Sequence, residues 1–341
     1  MDYTAYRSAP CLLKRPEPVL SYKDIPYKAA LIFNAGVTKF NGKYVMVFRN
    51  DVGFAAGGYD RSKVYTNLGI AYSNDGVKWD VQPEPWKVAA QIVDSSPEII
   101  RFYDPRLTVI DGRCYLCFAV DTRHGVRGGI AVTDDFDKFE ILSMSAPDNR
   151  NMVLFPEKIG GLFMRLERPF PEYSRGYQEK FDIWSSKSPD CRYWGDTELV
   201  LGMEDVPYAN AKIGPAAPPV KTPKGWLCTF HATYKDRNRN LFGWEAANNP
   251  DATWNKEYLA GLMLLDLENP QKVIGLAPEP LIRATEKYEL EGFRGSVIFP
   301  GGMILEESGE VKIYYGGADT VECLATASVD DLLGMIRPFS R

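Results

Sequence analysis

The sequence predicts an all-β protein that folds as a five-bladed β-propeller. One unit occurs five times: an alternating apolar strand, a short turn, a second strand that ends in polar residues, and later a third strand. No stretch of ten or more residues repeats the i, i+3, i+4 apolar pattern cleanly, so few helices are expected. Such sheets cannot bury both faces alone, but a radial arrangement lets them cover one another. A sandwich or jelly roll with the same number of strands is the competing all-β arrangement.

The first two units contain the clearest hairpin signals. Unit one is "NAGVTKFNGKYVMVFRND", with its turn at Asn41-Gly42, followed by "LGIAYSNDGVKW". Unit two is "RFYDPRLTVIDGRCYLCFAVDTR", with its turn at Asp111-Gly112, followed by "GGIAVTDDFDKF". Asn-Gly and Asp-Gly favour two-residue hairpin turns because both central residues there need positive φ. The segments "NDG" at 74–76 and "DDFD" at 134–137 are interpreted as structural Asp-rich turns.

The remaining three units follow the same plan. Unit three is "RNMVLFPEKIGGLFMRLERP" and then "FDIWSSKSPDCRYW"; unit four is "AKIGPAAPPVKTPKGWLCTFHATYKD" and then "AGLMLLDLENPQKV". Unit five is "FRGSVIFPGGMILEESGEVKIYYGGAD" and then "VECLATASVDDLL". The segments "EPWKVAAQIVDSSPEI" and "SAPDNR" are predicted to connect blades. Because all blades share one closing ring, residues 1–341 are treated as a single domain.

Composition narrows the classes of partner. The net charge of -5 arises from interspersed acids and bases without a basic run, which disfavours nucleic acid and favours a small ligand. No 18-residue apolar run or signal-peptide pattern occurs, so we expect a cytoplasmic protein without a membrane segment. Six scattered cysteines fit reduced thiols better than a disulfide framework. Cys114 and Cys117 should face opposite sides of a strand, and with two histidines no metal site is expected.

Polar residues recur at equivalent positions of the five units. In a propeller the start of each first strand and the end of each second strand converge at one mouth of the ring, where a ligand site is expected. These positions hold Asn34 with Arg49 and Asp51; Tyr103, Asp104, Pro105 and Arg106 with Asp121 and Arg123; Arg150 and Asn151 with Arg165 and Arg168; Lys212 with His231; and Arg294 with Asp319.

Four of these side chains suggest an anion site. Arg150, Arg168, Lys212 and His231 are cationic or donate hydrogen bonds, and they come from two adjacent units. Guanidinium and ammonium groups bind phosphate well. The alternatives are that the arginines form surface salt bridges, that Lys212 is a solvated loop residue, and that His231 is a satisfied strand histidine.

Asp104 is a candidate functional residue because of its neighbour in the sequence. It precedes a proline, which should hold it in extended geometry and fix the direction of its carboxylate. Its alternative roles are to cap a turn or to pair with Arg106. Tyr103, Tyr234 and Trp244 are candidate stacking platforms for a ligand, although packing would explain them equally well.

Several motifs together resemble one family. The segments "YDPRLTVIDG", "NRNMVLFPEK", "MRLERP" and "IYYGGADTVECLATA", with the segment from Lys212 to His231, are similar to the mannoside phosphorylases of glycoside hydrolase family 130. The resemblance spans about residues 30–335. It implies a five-bladed propeller, in agreement with the number of repeats.

The resemblance also implies a reaction and a set of roles. Inorganic phosphate, the co-substrate, attacks the anomeric carbon of a β-mannoside and releases α-mannose 1-phosphate with inversion, without a further cofactor. Asp104 matches the single catalytic acid, whose proton reaches the glycosidic oxygen through the 3-hydroxyl of the mannose. The implied phosphate-binding residues are Arg150, Asn151, Arg168, Lys212 and His231. The implied substrate-binding residues are Asn34, Arg49, Asp51, Tyr103 and Asp319.

Three functional hypotheses follow. The first is phosphorolysis of β-1,4-mannooligosaccharides, or of β-1,2-mannobiose or a mannosyl-glucose or mannosyl-N-acetylglucosamine. The second is a β-mannoside hydrolase of the same family, and the third is a non-catalytic sugar-binding propeller. No local motif identifies the acceptor sugar, the linkage or the role of His124 and the 123–129 loop. By analogy with the family, a homo-oligomer is expected.

Overall fold

The computed structural model describes residues 3–55, 58–59, 65–170, 180–236 and 255–339. Within these ranges the strands form five antiparallel sheets and one two-stranded hairpin. The first strands of neighbouring sheets contact one another at the centre. The all-β, five-bladed propeller predicted from the sequence is therefore confirmed, and the sandwich alternative is wrong.

The first half of the chain forms one short strand and two blades. The opening strand is β1 (Leu13–Lys14). Blade 1 and its inserted hairpin comprise β2 (Leu31–Phe40), β3 (Lys43–Val52), the hairpin strands β4 (Phe54–Ala55) and β5 (Gly58–Tyr59), β6 (Tyr65–Ser73) and β7 (Asp80–Val81). Helix α1 (Lys87–Asp94) connects it to blade 2, which comprises β8 (Ile99–Ile110), β9 (Arg113–Thr122), β10 (Gly125–Thr133) and β11 (Glu140–Met144). Blade 1 has the order β2-β3-β6-β7 from the centre outward.

The second half forms three blades. Blade 3 comprises β12 (Asn149–Leu154), β13 (Phe163–Pro169), β14 (Ile183–Ser188) and β15 (Gly195–Leu201). Blade 4 comprises β16 (Lys212–Pro215), β17 (Val220–Thr222), β18 (Gly225–Lys235), β19 (Lys256–Leu265) and β20 (Val273–Leu276). After α2 (Lys287–Leu290), blade 5 comprises β21 (Ile298–Leu305), β22 (Glu310–Gly317) and β23 (Val321–Ser328), followed by α3 (Val329–Met335) and β24 (Arg337–Pro338). Short 3₁₀ turns lie at Tyr3–Ala5, Tyr22–Asp24 and Met203–Asp205.

Both ends of the chain complete blades formed by other segments. β1 pairs with β23, with Leu13 opposite Thr326, and becomes the outermost strand of blade 5. β24 pairs with β20 at the outer edge of blade 4. Two short strands, β16 and β17, together form the innermost strand of blade 4, because both pair with β18. The ring is thus closed by the N-terminal strand.

The hydrophobic core lies between the blades. Each pair of adjacent sheets is joined by one buried cluster, as the radial arrangement requires; for example, Val47 of blade 1 packs with Leu116 of blade 2. Cys114 belongs to the cluster between blades 1 and 2, whereas Cys117 belongs to the cluster between blades 2 and 3. The prediction that these two cysteines face opposite sides of their strand is confirmed, and the six cysteines are free thiols.

The predicted turns have the expected backbone. Asn41 and Gly42 have φ of 51° and 77°, and Asp111 and Gly112 have the same values. These angles suit a turn that needs positive φ at both central positions. The Asp-rich segments are structural, as predicted: Asp75 accepts hydrogen bonds from the backbone N–H groups of Val77 and Lys78.

The helical content is small. The segment predicted to connect blades 1 and 2 contains α1, whose eight residues bury Val88, Ala89 and Ile92 against the sheets. Among the residues that the structure describes, no helix has the length and apolar character needed to cross a membrane.

Candidate active site

A cavity of about 220 Å³ lies at the mouth of the ring, where the innermost strands begin. Its lining contains these predicted site residues: Asn34, Arg49, Asp51, Tyr103, Asp104, Arg150, Asn151, Arg168 and Asp319. Blades 1, 2, 3 and 5 therefore contribute polar side chains to one space. Lys212 and His231 of blade 4 are buried next to this lining and reach the cavity through other side chains, as described below.

Three of these residues occupy the same place in successive blades. Asn34, Asp104 and Asn151 lie at bulges in the innermost strands β2, β8 and β12, where the register with the second strand shifts. Their φ angles are 53°, 53° and 59°. Asn and Asp adopt this left-handed conformation more readily than other non-glycine residues. The bulge redirects each side chain, so three short polar groups converge on the axis of the ring.

The backbone prediction for Asp104 was wrong. The proline that follows was expected to hold Asp104 in extended geometry, but its φ of 53° lies in the left-handed region. The bulge between Tyr103 and Arg106 imposes this conformation, since one extra residue must be accommodated in β8.

The Asp104 carboxylate is held from blade 1. Asn34 Nδ2 and Arg49 Nη1 each donate to Asp104 Oδ1 at 3.1 Å. Arg49 also donates through Nε and Nη2 to the two oxygens of Asp51, at 2.9 and 2.6 Å. Neither contact uses Asp104 Oδ2, and no described residue bonds to it, so this oxygen is open to a ligand in the cavity. The pairing partner of Asp104 is Arg49 rather than Arg106.

The carboxyl groups of Asp104 and Asp319, which both line the cavity, have pKa values that shift in opposite directions. Burial raises the pKa of Asp104, but Arg49, Arg106, the hydrogen bond from Asn34, and Arg150 outweigh it and lower that pKa overall. Burial also raises the pKa of Asp319, and Arg294 at 3.3 Å does not compensate, so that pKa stays above its usual value. In the free protein Asp104 therefore ionises more readily than Asp319.

Tyr103 lines the cavity and connects it to the ion pair of Asp121 and Arg101. Its hydroxyl donates to Asp121 Oδ1 at 2.7 Å and accepts from Arg150 Nη1 at 3.3 Å. Asp121 in turn forms an ion pair with Arg101 at 2.7 Å, and the Arg101 guanidinium lies 4.5 Å from the Tyr103 ring centroid. Asp121 thus pairs within its own blade and positions Tyr103.

Arg150 is partly buried and forms no salt bridge with a described carboxylate, although the charge of Asp104 acts on it at longer range. Its hydrogen bond goes to the uncharged hydroxyl of Tyr103, and its Nε is buried without a partner among the described residues. Asn151 Oδ1 is also buried without a described partner. The prediction of a surface salt bridge for Arg150 is not met, and an anion in the cavity would accept hydrogen bonds from its guanidinium, whereas Asn151 Oδ1 needs a donor.

Arg168 and His231 form a buried pair. Arg168, 2% exposed, donates from Nη1 to His231 Nε2 at 2.9 Å. Since an arginine only donates, the histidine accepts at Nε2 and is neutral. Burial, together with Arg168, Lys212 and Arg150, holds the pKa of His231 well below its usual value. His231 is therefore a buried, neutral strand histidine, but its Nδ1 lacks a well-formed hydrogen bond to a described residue; it acts on the cavity through Arg168.

Lys212 is also buried rather than solvated. It is 6% exposed at the start of β16, and its ammonium group lies 5.3 Å from the centroid of the Tyr258 ring. Burial would raise the pKa of Tyr258, but Lys212, Lys256 and Arg168 outweigh it and lower that pKa. Tyr258 lines the cavity, so Lys212 contributes its charge from behind this ring.

Several lining residues escaped the sequence analysis. They are Phe33, Arg101, Tyr258, Phe293, Val297 and Phe299. Arg101 precedes the YDPR motif by two residues and could have been found there. Tyr258 begins a third strand, β19, whereas only first and second strands were expected to reach the mouth.

Other candidates lie away from the cavity. Arg106 is buried beneath it and donates to the backbone carbonyls of Asn34, Pro105 and Ala216, which join three blades. Arg165 pairs with Glu167, Arg123 is exposed, and the exposed His124 lies 3.1 Å from Glu98. Tyr234 stacks on Tyr3 instead of facing the cavity. Trp244 lies outside the described residues.

The chain is similar to known mannoside phosphorylases over nearly its whole length. A family model described as β-1,4-mannooligosaccharide phosphorylase, that of glycoside hydrolase family 130, matches residues 10–338. The β-1,4-mannooligosaccharide phosphorylase of Ruminococcus albus is 30% identical over 333 residues, which cover 95% of this chain and 90% of that protein. The 1,2-β-oligomannan phosphorylase of a Thermoanaerobacter species is 29% identical over 322 residues, with 93% and 96% coverage.

Solved structures share the fold. A β-1,2-mannobiose phosphorylase from Listeria innocua, bound to β-1,2-mannobiose, superimposes with a TM-score of 0.77 at 23% identity, covering 95% of this chain and 98% of that one. Since the family model covers every blade and the two sequence relatives are matched over 90% or more of their length, the chain belongs to glycoside hydrolase family 130, whose phosphorylases transfer mannosyl units to phosphate.

Proposed function

We propose that this protein catalyses the inverting phosphorolysis of β-mannosides, with β-1,4-mannooligosaccharides as the favoured substrates. A phosphate oxygen attacks the anomeric carbon of the terminal mannose while the glycosidic bond breaks. The products are α-mannose 1-phosphate and an acceptor shortened by one unit, whose oxygen takes the proton of Asp104 through the mannose 3-hydroxyl. Phosphate is the co-substrate, and the reaction needs no other cofactor.

The observation that carries this proposal is that the Arg150 guanidinium lines the cavity without a salt bridge to a described carboxylate. A partly buried guanidinium whose one hydrogen bond goes to a neutral hydroxyl is better satisfied when an anionic ligand accepts from it. Arg168 and Asn151 line the same cavity as Arg150, and Asn151 follows Arg150 directly in β12. These three residues are therefore proposed to contact phosphate. Lys212 adds charge through Tyr258, and His231 orients Arg168.

The charge balance also explains how an ionised Asp104 can act as an acid. In the free protein Arg49, Arg106 and Arg150 lower its pKa. A phosphate bound beside Arg150 brings opposing charge into the cavity and raises that pKa. Phosphate binding therefore prepares Asp104 to hold and deliver a proton, and it couples the nucleophile to the acid.

The mannose is proposed to bind between blades 1, 2 and 5. Asn34, Arg49 and Asp51 offer donors and acceptors around Oδ1 of Asp104, and Tyr103 and Asp319 border the same space. Asp319, with its raised pKa, is suited to donate a hydrogen bond to a sugar hydroxyl when protonated.

The linkage is proposed to be β-1,4 because the family model and the Ruminococcus albus relative both carry that activity in their descriptions. A β-1,2 linkage is the second candidate, supported by the 29% identity to the 1,2-β-oligomannan phosphorylase. Hydrolysis is disfavoured, because water would leave the Arg150 guanidinium without an anionic hydrogen-bond partner.

Incubation of the protein with β-1,4-mannobiose and with β-1,2-mannobiose, each with and without phosphate, tests the proposal. Nuclear magnetic resonance should detect α-mannose 1-phosphate only when phosphate is present, and with the better linkage at the higher rate. Equal release of free mannose in both conditions would establish hydrolysis instead.

The Arg150→Ala variant tests the phosphate site. Loss of one charge-assisted contact should raise the KM for phosphate about 10- to 100-fold, since such contacts contribute about 1.5–3 kcal/mol. Arg113→Ala is the matched control, because Arg113 forms only an exposed ion pair with Asp134 on the outer surface. An unchanged KM for phosphate in Arg150→Ala would remove this residue from the site.

A further inference from the structure

Arg106 is a buried arginine that neither lines the cavity nor contacts a proposed ligand. It is 3% exposed, and its hydrogen bonds go to backbone carbonyls instead of carboxylates. The carboxyl groups of Asp104 and Glu322 act on its charge only at longer range. Since burial of a guanidinium is costly, the contacts that it makes there indicate its role.

The bulges of β2 and β8 leave residues without a partner on the next strand. In β2 the pairing passes from Phe33 directly to Gly36, and in β8 it passes from Tyr103 directly to Arg106. The backbone groups that lose ladder hydrogen bonds in this way must find partners elsewhere. The residues outside the ladders are Asn34, Ala35, Asp104 and Pro105.

Arg106 supplies a partner at both bulges. Its Nη1 donates to the carbonyl oxygen of Pro105 at 2.6 Å and to that of Asn34 at 3.2 Å. Its Nε donates to the carbonyl oxygen of Ala216, between β16 and β17, at 2.8 Å. One guanidinium therefore joins the two bulges to each other and to blade 4.

These two bulges hold the proposed acid. Asn34, at the first bulge, donates to Asp104 Oδ1, and Asp104 itself occupies the second bulge. Both residues have a φ of 53°, which costs a non-glycine residue free energy unless the surroundings maintain it. A shift of either backbone would turn the Asp104 carboxylate, and a misplacement of about 1 Å can cost about 100-fold in rate.

The surroundings of Arg106 leave it little room to move. A Cβ atom at Gly36 would lie 3.0 Å from Arg106 Cα, and a Cβ atom at Gly301 would lie 3.3 Å from Arg106 Nη1. The centroid of the Phe299 ring lies 5.1 Å from the guanidinium carbon. Blades 1 and 5 therefore enclose the arginine closely and hold it on its carbonyl partners.

We propose that Arg106 is a positioning residue for the acid: it joins the bulged backbones of β2 and β8 so that the Asp104 carboxylate stays directed at the mannose, and its charge acts on that carboxylate from beneath. The proposal rests on the proposed function, because it concerns the acid of the same reaction. A lysine would keep the charge, but its one nitrogen cannot replace the separate Nε and Nη1 donors.

The charge of Arg106 contributes to the protonation of Asp104. Burial raises the pKa of Asp104, whereas Arg49, Arg106, the hydrogen bond from Asn34, and Arg150 lower it. Removal of the Arg106 charge should therefore raise that pKa. The other titratable groups around this pair are Asp51, Tyr103 and Asp319 in the cavity lining, and Glu322 and Cys117 near Arg106.

The dependence on the leaving group distinguishes positioning from folding. Arg106→Lys should lower kcat on mannobiose about 10- to 100-fold, but change kcat on 4-nitrophenyl β-mannoside, whose leaving group needs no proton, less than about three-fold. The KM for phosphate should stay within about two-fold of the wild-type value, because Arg106 does not line the cavity. Arg165→Lys is the matched control, since Arg165 is also buried, at 7% exposure, but pairs with Glu167.

The pH dependence of kcat is an independent measurement. The acid must carry a proton, so activity is lost as the pH rises through the pKa of Asp104 in the complex. In Arg106→Gln the charge is removed, and this loss should move to higher pH than in the wild type; in Arg106→Lys it should not move.

Three results would overturn the proposal: equal losses on both substrates in Arg106→Lys, an unshifted pH profile in Arg106→Gln, or failure of both variants to fold as judged by circular dichroism. The first and third would make Arg106 a structural residue only. Failure of the proposed function is distinguishable, because free mannose would then form without phosphate, or Asp104→Asn would show no dependence on the leaving group. Failure of the role of Arg106 changes neither of those two results.

Discussion

Asp104 and Asp319 line the same cavity, yet their surroundings move their pKa values in opposite directions. Asp104 accepts from two donors of blade 1, and three arginines contribute to its lowered pKa. Asp319 has Arg294 as its nearby partner, but burial still keeps the pKa of Asp319 above its usual value. Carboxyl groups that differ in this way commonly have different tasks. A comparison of isosteric variants can therefore assign the acid.

Asp104→Asn should lower kcat on mannobiose by about 10²- to 10⁴-fold, the usual contribution of general acid catalysis. Asp319→Asn should chiefly raise the KM for the mannoside, by about 10-fold, because one sugar contact is weakened. A 4-nitrophenyl β-mannoside provides the control, since its leaving group needs no proton. Asp104→Asn should recover most of its activity on that substrate, and the opposite pattern in the two variants would make Asp319 the acid.

Individual residues were predicted from the sequence where a repeat position determined them. Asn34, Asp104 and Asn151 share one place in three blades, so alignment of the units brought them together. Side-chain partners depend on tertiary packing and were missed. The sequence does not reveal that Lys212 lies behind Tyr258 or that His231 accepts from Arg168. The conformation of Asp104 was wrong because a bulge outweighed the preference of a pre-proline residue.

The innermost strands approach one another unusually closely, and glycines make this approach possible. A Cβ atom at Gly301 of β21 would lie 1.9 Å from the backbone oxygen of Ala35 in β2. At Gly36 it would lie 2.8 Å from the backbone oxygen of Pro105. Backbone atoms cannot move aside as a flexible side chain can. These two glycines therefore set the distance between blades 5, 1 and 2 at the mouth of the ring.

Gly301→Ala should destabilise the fold by about 3 kcal/mol or more, because overpacking against backbone forces β2 and β21 apart. Urea denaturation followed by tryptophan fluorescence measures the change. Gly195→Ala of β15 is the matched control, since a Cβ there meets nothing within 4 Å. Equal unfolding free energies in the two variants would contradict the close packing of the central strands.

At the level of elements, the sequence predicted strands and turns well because their signals are local. The Asn-Gly and Asp-Gly turns need positive φ, which few other residue pairs provide. Helix α1 lies in a predicted connection and was not identified as a helix, since eight residues are too short for a clear period. The extra pairing of β24 with β20 had no sequence signal, because it depends on where the chain passes after α3.

At the scale of the whole molecule, the buried carboxyl group of Glu322 connects two blades of the ring and the N-terminal segment. Glu322 of β23 is fully buried; its Oε2 accepts from the Ala35 backbone N–H at 3.1 Å, and its backbone bonds to Leu20. It thereby connects blade 5, blade 1 and the N-terminal segment. Burial raises the pKa of Glu322 to about 8, against smaller opposing effects of the Ala35 N–H and Arg106.

This raised pKa predicts a pH-dependent stability. The unfolded chain has the ordinary glutamate value of about 4.3, so the unfolded state loses its proton first. The stability that Glu322 contributes is full below about pH 4.5 and is lost as the pH rises through about 8. Glu322→Gln cannot ionise, so its stability relative to the wild type should increase by a few kcal/mol, in order of magnitude, between pH 5 and pH 9.

Thermal unfolding of both proteins across this pH range measures the difference. Glu310→Gln is the control, because Glu310 lies on the neighbouring strand β22 with a half-exposed side chain. Parallel pH profiles for wild type and Glu322→Gln would show that the carboxyl group is not protonated in the folded ring.

The blade number followed from the sequence because each unit repeats the same strand and turn pattern, and five inter-blade clusters match it. Ring closure by β1 was not foreseen, since a two-residue strand has no recognisable pattern. The expectation of a homo-oligomer stays a prediction that sedimentation can test.

The pairing of Leu13 with Thr326 has a consequence for biosynthesis. At roughly 5–20 residues per second, a ribosome needs on the order of 15 to 60 s to deliver the far partner after the near one has emerged. Throughout that interval the nascent polypeptide exposes β1 without the strand to which it pairs in the folded protein. Interactions that keep this segment occupied, or a chaperone that shields it, would decide how much of the newly made enzyme reaches its finished form.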